Sequence, residues 1–357
     1  MFKIKNIKTN LVSNLFRQDK LKSHVNEIDG VIRITIDTAF QVGPVSVYLF
    51  KVNDSYVMYD AGLDNLSWKK LFFSELEKLN ISLKDVDYCI ISHEHLDHYG
   101  LMSKLRDVNP DMQIMMSNLT YIILKWETDP ANLKEIEEVT RERGNLLIKY
   151  GMGKERVKKF IEWSTFWPKL RKHHVPDKLL EDGDEISFST NKLKMIWTPG
   201  HSVGHLCMFN QKKRHLFSGD HILSRITPHI GSFTLPRQIS EKYDFNDILK
   251  YYLQSLDRIE EMNPKIIFPG HQEVIHDPRD RINEIKRHHY NRLVEISKTI
   301  KNRPLTPFRI SKLHFGRGLD ELNTLLALSE VLAHLIYLEN INKVKRIEKE
   351  GKILFES

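Results

Sequence analysis

One run constrains this chain more than any other: Ser92-His93-Glu94-His95-Leu96-Asp97-His98. It follows Tyr88-Cys89-Ile90-Ile91, an apolar run with the length and composition of a buried strand. Three histidines and one aspartate then fall within six positions. Imidazole and carboxylate are the donors that zinc and similar divalent ions take. In an extended segment His93, His95 and Asp97 share one side, and a tight turn at the strand end brings His98 to the same place. A polar loop with incidental histidines is the alternative, and the spacing directly after a buried strand speaks against it.

Four further motifs share this grammar of apolar run, turn residues and a ligand-type side chain. Asp60 closes Ser55-Tyr56-Val57-Met58-Tyr59. His201 ends Trp197-Thr198-Pro199-Gly200-His201, Asp220 ends Phe217-Ser218-Gly219-Asp220, and His271 ends Ile267-Phe268-Pro269-Gly270-His271. Glycine and proline let the backbone turn sharply there without a bulky side chain filling the space.

This ordered set resembles the metallo-β-lactamase superfamily over roughly residues 32–277, with a glyoxalase II-like ligand set. The resemblance implies an α/β fold, the four-layered αβ/βα sandwich, with a two-metal site at one edge. It implies that His93, His95 and His201 hold one ion, that Asp97, His98 and His271 hold the other, and that Asp220 bridges them. Asp60 would orient ligands through hydrogen bonds. The ions implied are two divalent metals, zinc first, with iron or manganese also suited to His and Asp donors. Two dications against two carboxylates leave a positive site, in which a bridging water becomes a hydroxide nucleophile near neutral pH. Asp97 would pass a proton to the leaving group. His205, four residues after His201, is expected to pack beside the site, and His221 to support it or turn away. His229, in a loop that starts just past Asp220, is expected at the pocket rim as a substrate contact.

The remaining chain divides around this core. Alternation predicts strands at Val31–Ile36, Val45–Val52 and Ser55–Asp60, with no clear pattern in the first 30 residues. A helix is predicted from His98 to Val108. Residues 118–174 read as a helical insertion over the sheet domain, rich in charge and carrying Trp126, Trp163 and Trp167. An insertion beside a metal site can line a substrate pocket. A boundary near Pro278 gives a catalytic domain, 1–278, and a C-terminal domain, 279–357. The latter's helices and last hairpin resemble the winged-helix domain of some superfamily branches, with Leu328-Ser329-Glu330-Val331-Leu332-Ala333-His334-Leu335 as the helix before the wing.

Charge and cysteine usage narrow the function. The net charge of +7 lies almost wholly in residues 279–357, which hold 16 Lys and Arg against 10 Asp and Glu. A solvated helical face explains this better than a nucleic-acid surface. Cys89 and Cys207 sit in apolar runs and read as buried thiols. No segment approaches a membrane span and no leader is evident, so no membrane partner and a cytoplasmic location are expected. The favoured activity is hydrolysis of a small-molecule thioester or ester. A ribonuclease or phosphodiesterase is the alternative, although Leu96 stands where ribonuclease Z enzymes have Gly. A nucleic-acid-binding regulator that keeps the hydrolase fold is a third reading. A homodimer through the C-terminal domain is compatible with all three.

Overall fold

The computed structural model describes residues 21–38, 42–166, 168, 171–172, 174–231 and 234–357. Trp167, His173 and the first 20 residues lie outside the described residues. A seven-stranded sheet takes its strands in chain order: β1 (Ser23–Ile28), β2 (Val31–Ile36), β3 (Val45–Val52), β4 (Ser55–Tyr59), β5 (Val86–Ile90), β6 (Gln113–Ser117) and β7 (Lys178–Leu180). The first four pair antiparallel, and β4 to β7 pair parallel. A second sheet runs in the order β12 (Ile266–Pro269), β11 (His215–Gly219), β10 (Leu206–Asn210), β9 (Asn191–Trp197) and β8 (Glu185–Phe188).

The period of two along β3 decides how these sheets stack. Val45, Val47 and Leu49 face an outer core with Trp68 and Phe72 of helix α1 (Leu66–Lys78). Tyr48, Phe50 and Val52 face the other sheet, packing with Phe217, Phe268 and Met195. There Phe50 and Phe217 stack at 4.7 Å between ring centroids. The far face of the second sheet is covered by the short α7 (Arg237–Ser240), α8 (Ile248–Met262) and the start of α9 (Pro278–Ile300). The result is the expected four layers, helix, sheet, sheet and helix. Asp60, Ser92, Asp220 and His271 all lie at one edge, just beyond β4, β5, β11 and β12.

The predicted helix from His98 to Val108 is divided. It forms α2 (Leu96–Tyr99) and α3 (Met102–Val108), on either side of Gly100 and Leu101. The His98 carbonyl is taken by the Ala61 N–H at 2.6 Å, which holds the short helix against the end of β4. A Cβ on Gly100 would stand 2.5 Å from the Asp64 nitrogen and 2.5 Å from the Leu96 oxygen, so backbone passes too close there for any side chain.

The insertion also differs from expectation. Helix α4 (Asn118–Thr128) packs on β6 and β7. Helices α5 (Leu133–Lys149) and α6 (Lys154–Phe166) instead share a core with the C-terminal elements. Those elements are α10 (Pro307–Phe315), α11 (Glu321–Asn340) and the hairpin of β13 (Lys345–Lys349) and β14 (Lys352–Glu356). Leu147, Tyr150 and Val157 meet Ile300, Phe308, Leu328 and Leu332 in one cluster. Arg156 and Lys159 both pair with Glu321, tying α6 to the start of α11. The expectation that no segment approaches a membrane span is corrected as well. Helix α11 is long and apolar enough by length and composition, but Leu328, Val331, Leu332 and Leu335 spend that apolarity on the shared core.

Candidate metal centre

Each site residue follows a strand whose hydrogen bonds fix where it points. Asp60 stands at φ 62°, a left-handed conformation that aims its carboxylate back into the protein. It accepts from the Ser92 N–H at 2.7 Å and the Ser92 hydroxyl at 3.0 Å. It also accepts from His98 Nδ1 at 2.8 Å. Because the Ser92 hydroxyl gives its proton to Asp60, it accepts from His93 Nδ1 at 2.9 Å. His201 Nδ1 donates to the His229 carbonyl at 3.1 Å, and His271 Nδ1 donates to the Pro44 carbonyl at 2.9 Å. Four imidazoles therefore have their Nδ1 proton held away from the site, which leaves each Nε2 lone pair free to face it.

Those lone pairs converge in two groups. His93, His95, His201 and Asp220 form one, and Asp97, His98 and His271 the other. His95 Nδ1 lies 2.9 Å from His93 Nε2 and 3.0 Å from His201 Nε2. Asp220 stands between the groups. Its carboxylate lies 3.5 Å from each of His98, His201 and His271. Its backbone N–H donates to His205 Nε2 at 3.2 Å, while His205 Nδ1 is bonded to Thr198. His205 thus positions Asp220 without facing the metal groups, as expected. His221 turns aside, edge-on to Tyr252 at 4.7 Å between centroids.

The donor set tests well for metal. His98 Nε2, His271 Nε2 and Asp220 Oδ1 are buried without a hydrogen-bond partner. Buried polar atoms are rarely left so, and three that converge at one place fit a cation. The electrostatics agree. Burial pulls the His98 pKa down, but Asp220, Asp60 and Asp97 outweigh it and push it up to about 10. Burial works to raise Asp97, yet the neighbouring His98 and His271 hold it well below the usual carboxylate range. In the other group, burial and then the neighbouring imidazoles push His93 and His95 well down, so both are neutral donors.

One consequence is measurable without substrate. At neutral pH the metal-free protein holds a proton on His98 that a metal must displace. Metal uptake is expected to release at least one proton per chain, from His98 and in part from His271, whose pKa the nearby Asp220 and Asp97 also raise, and apparent affinity is expected to rise with pH up to about 10. Calorimetry in buffers of different ionisation heat reads this directly, and pH-independent uptake without proton release would contradict it.

A cavity of about 410 Å³ opens beside His95 and His201. Glu94, at a variable position of the motif, faces it while accepting from the Ser202 hydroxyl at 2.6 Å. Trp126 of α4, Phe160 and Trp163 of α6, and Leu325 and Leu328 of α11 carry its wall away from the metal groups. The His229 side chain also lines it. The readings from sequence did not include the supporting roles of Ser92, Pro44 and the His229 carbonyl. For Ser92 alone there was a signal, a small hydroxyl residue between a strand and the first ligand.

A two-sheet sandwich with two His/Asp groups at one edge defines a class of metal-dependent hydrolases. The chain belongs to the metallo-β-lactamase superfamily, whose profile matches residues 40–271. The profile of the metallo-β-lactamase-like C-terminal domain matches residues 293–357. The probable metallo-hydrolase YqjP of Bacillus subtilis is 25% identical over 317 residues, which span 87% of this chain and 92% of that one. The atrochrysone carboxyl ACP thioesterase of Aspergillus fumigatus is 20% identical over 244 residues, 68% of this chain and 56% of that one. The crystal structure of the metallo-β-lactamase family protein TTHA1429 from Thermus thermophilus superposes with a TM-score of 0.71. At 24% identity, it covers 92% of this chain and 99% of its own. The chain is thus a metallo-hydrolase of this superfamily.

Proposed function

We propose that this protein hydrolyses a thioester or ester whose acyl group is apolar. The cavity beside His95 and His201 carries this reading, because apolar side chains, Leu, Ile, Trp, Phe and Pro, make up the larger part of its wall. A polyanionic backbone would meet two arginines there, one of them already paired with Glu127, whereas an acyl chain gains from every apolar contact. The thioesterase named among the relatives supports the same substrate class.

In this reading His93, His95 and His201 would hold one divalent ion, Asp97, His98 and His271 would hold a second, and Asp220 would be shared between them. Zinc suits the donors, and iron or manganese also fit. When bound, such ions supply Lewis-acid polarisation of a carbonyl and an acidified water. Asp60 keeps His98 and, through Ser92, His93 in the tautomers that present Nε2. Asp97 stays ionised and can take up a proton from water and deliver it to the departing thiolate or alkoxide. The C-terminal elements, with the helix-and-hairpin order of a winged helix, serve as the cavity's outer wall.

The test is a panel of acyl-thioesters, aryl esters and single-stranded RNA, with His93→Ala as control. Thioester or ester cleavage that the substitution abolishes is expected. Faster RNA cleavage, equally abolished, would replace this reading with a ribonuclease.

A further inference from the structure

Two segments supply the imidazoles of the first metal group. His93 and His95 come from the run after β5, and His201 from the turn between β9 and β10. Two of the three rings are fixed from outside the group, His93 by the Ser92 hydroxyl and His201 by the His229 carbonyl. The His95 ring differs. Its Nδ1 is hydrogen-bonded at 2.9 Å to His93 Nε2 and at 3.0 Å to His201 Nε2, the other donors themselves. A cation that takes these nitrogens removes that support, because a neutral imidazole has one lone pair to give. His95 is then placed by its backbone.

That backbone is tied on both sides. On one side the His95 carbonyl accepts from the His98 N–H at 2.9 Å, at the start of α2. On the other side stands Glu94. Its carboxylate accepts from the Ser202 hydroxyl at 2.6 Å, the short length of a hydroxyl on a carboxylate. The same hydroxyl accepts from the Gly204 N–H at 3.1 Å, which fixes its direction. Ser202 is 1% exposed and Glu94 8%, so water competes little for the bond. The bond therefore joins the residue before His95 to the residue after His201. A backbone bond between the same segments, from the Leu206 N–H to the Ser92 carbonyl at 2.9 Å, lies before the ligands on one side and past them on the other.

We propose that Glu94 is a positioning residue for the first metal ion: through Ser202 it holds His95 against His201, and so keeps the three imidazoles together. The second group, Asp97, His98 and His271, takes no part in this bond. The inference rests on the two-ion reading of the centre and is independent of which acyl group is cleaved. The rival role is charge. Glu94 also bears electrostatically on Glu127 and Arg171, and an anion close to two dications helps to hold them whatever it is bonded to. Glu94→Gln separates the two roles, since its amide oxygen accepts from Ser202 without the charge.

Metal affinity tests this without catalysis. Zinc binding to the full chain is measured by chelator competition in two backgrounds, His271→Ala, which leaves the first group complete, and His201→Ala, which leaves the second. In His271→Ala, adding Glu94→Ala is expected to weaken zinc binding about ten- to a hundredfold; in His201→Ala, about threefold or less. Glu94→Gln in the first background recovers affinity to within about threefold of its parent. Ser202→Ala weakens binding about as much as Glu94→Ala, and the two together about as much as either alone, because both remove one bond. Unchanged affinity in His271→Ala, equal weakening in both backgrounds, no recovery by Glu94→Gln, or additive losses from Glu94→Ala and Ser202→Ala overturns the proposal. Should Glu94→Ala fail to fold by circular dichroism, Ser202→Ala replaces it under the same criteria. Wild type that binds fewer than two zinc ions per chain removes the two-ion reading and this inference with it. Two ions in wild type, held as tightly in Glu94→Ala, remove this inference alone.

Discussion

Replacing Asp220 by Asn is expected to deplete both halves of the metal centre, whereas replacing His271 by Ala depletes mainly one. The Asp220 carboxylate lies 3.5 Å from His201 in one group and 3.5 Å from His98 and His271 in the other. It is the carboxylate within reach of both sets, and its backbone is held in place by His205. Removing its charge leaves seven converging donors with one anion fewer to balance two dications. His271 belongs to one group only, and its Nδ1 bond to the Pro44 carbonyl orients it without touching the other. Elemental mass spectrometry should find the Asn variant nearly metal-free and the Ala variant with about half the wild-type content. Hydrolysis should fall roughly a thousandfold or more in both, since metal catalysis is worth several kcal/mol. Equal metal loss in the two variants would remove the bridging role of Asp220.

The second large effect is expected from Gly270→Ala. A Cβ there would stand 2.6 Å from Asp220 Oδ1 and 2.7 Å from His98 Cε1. The backbone cannot easily retreat. The Gly270 N–H donates to the Gly219 carbonyl at 2.7 Å, and its own carbonyl accepts from the Ser46 N–H at 2.8 Å. The two side chains must move instead, and both belong to the metal centre. Shifts of this size around metal ligands cost roughly ten- to a hundredfold in affinity or activity. Gly153→Ala is the control, because nothing lies within 4 Å of its Cβ position. Metal content and turnover should drop in the first variant and hold in the second, with both melting cooperatively. Unchanged metal affinity in Gly270→Ala would show that the centre has more room than its packing indicates.

Several parts of this arrangement were legible in the residues. Strands β2 and β3 alternate clearly because each side of the sheet has its own core. The donors were legible because each follows a strand and a turn residue. Strand β1 was not, since it is an edge strand with exposed His24 and Glu27 and shows no apolar period. Strand β7 spans three residues, too few for any periodicity. The break at Gly100 was hidden because its cause is the backbone of Asp64 and Gly62, remote in sequence and near in space.

The amino-acid order alone determined the ligand inventory, because donor chemistry and spacing are local properties of the chain. It also determined the layered sandwich, through the period of two and the resemblance built on those donors. Only tertiary structure decided which imidazole nitrogen faces the metals. That choice rests on Asp60, Ser92, Pro44 and the His229 carbonyl, and a hydrogen bond between distant segments has no signature in sequence. Tertiary structure also decided that α5, α6 and α11 close one apolar cavity over His95 and His201. Helical periodicity shows that each of these helices has a face to bury. What that face meets is a matter of packing between elements far apart in the chain, and here the space left between them is the cavity proposed to take the acyl group.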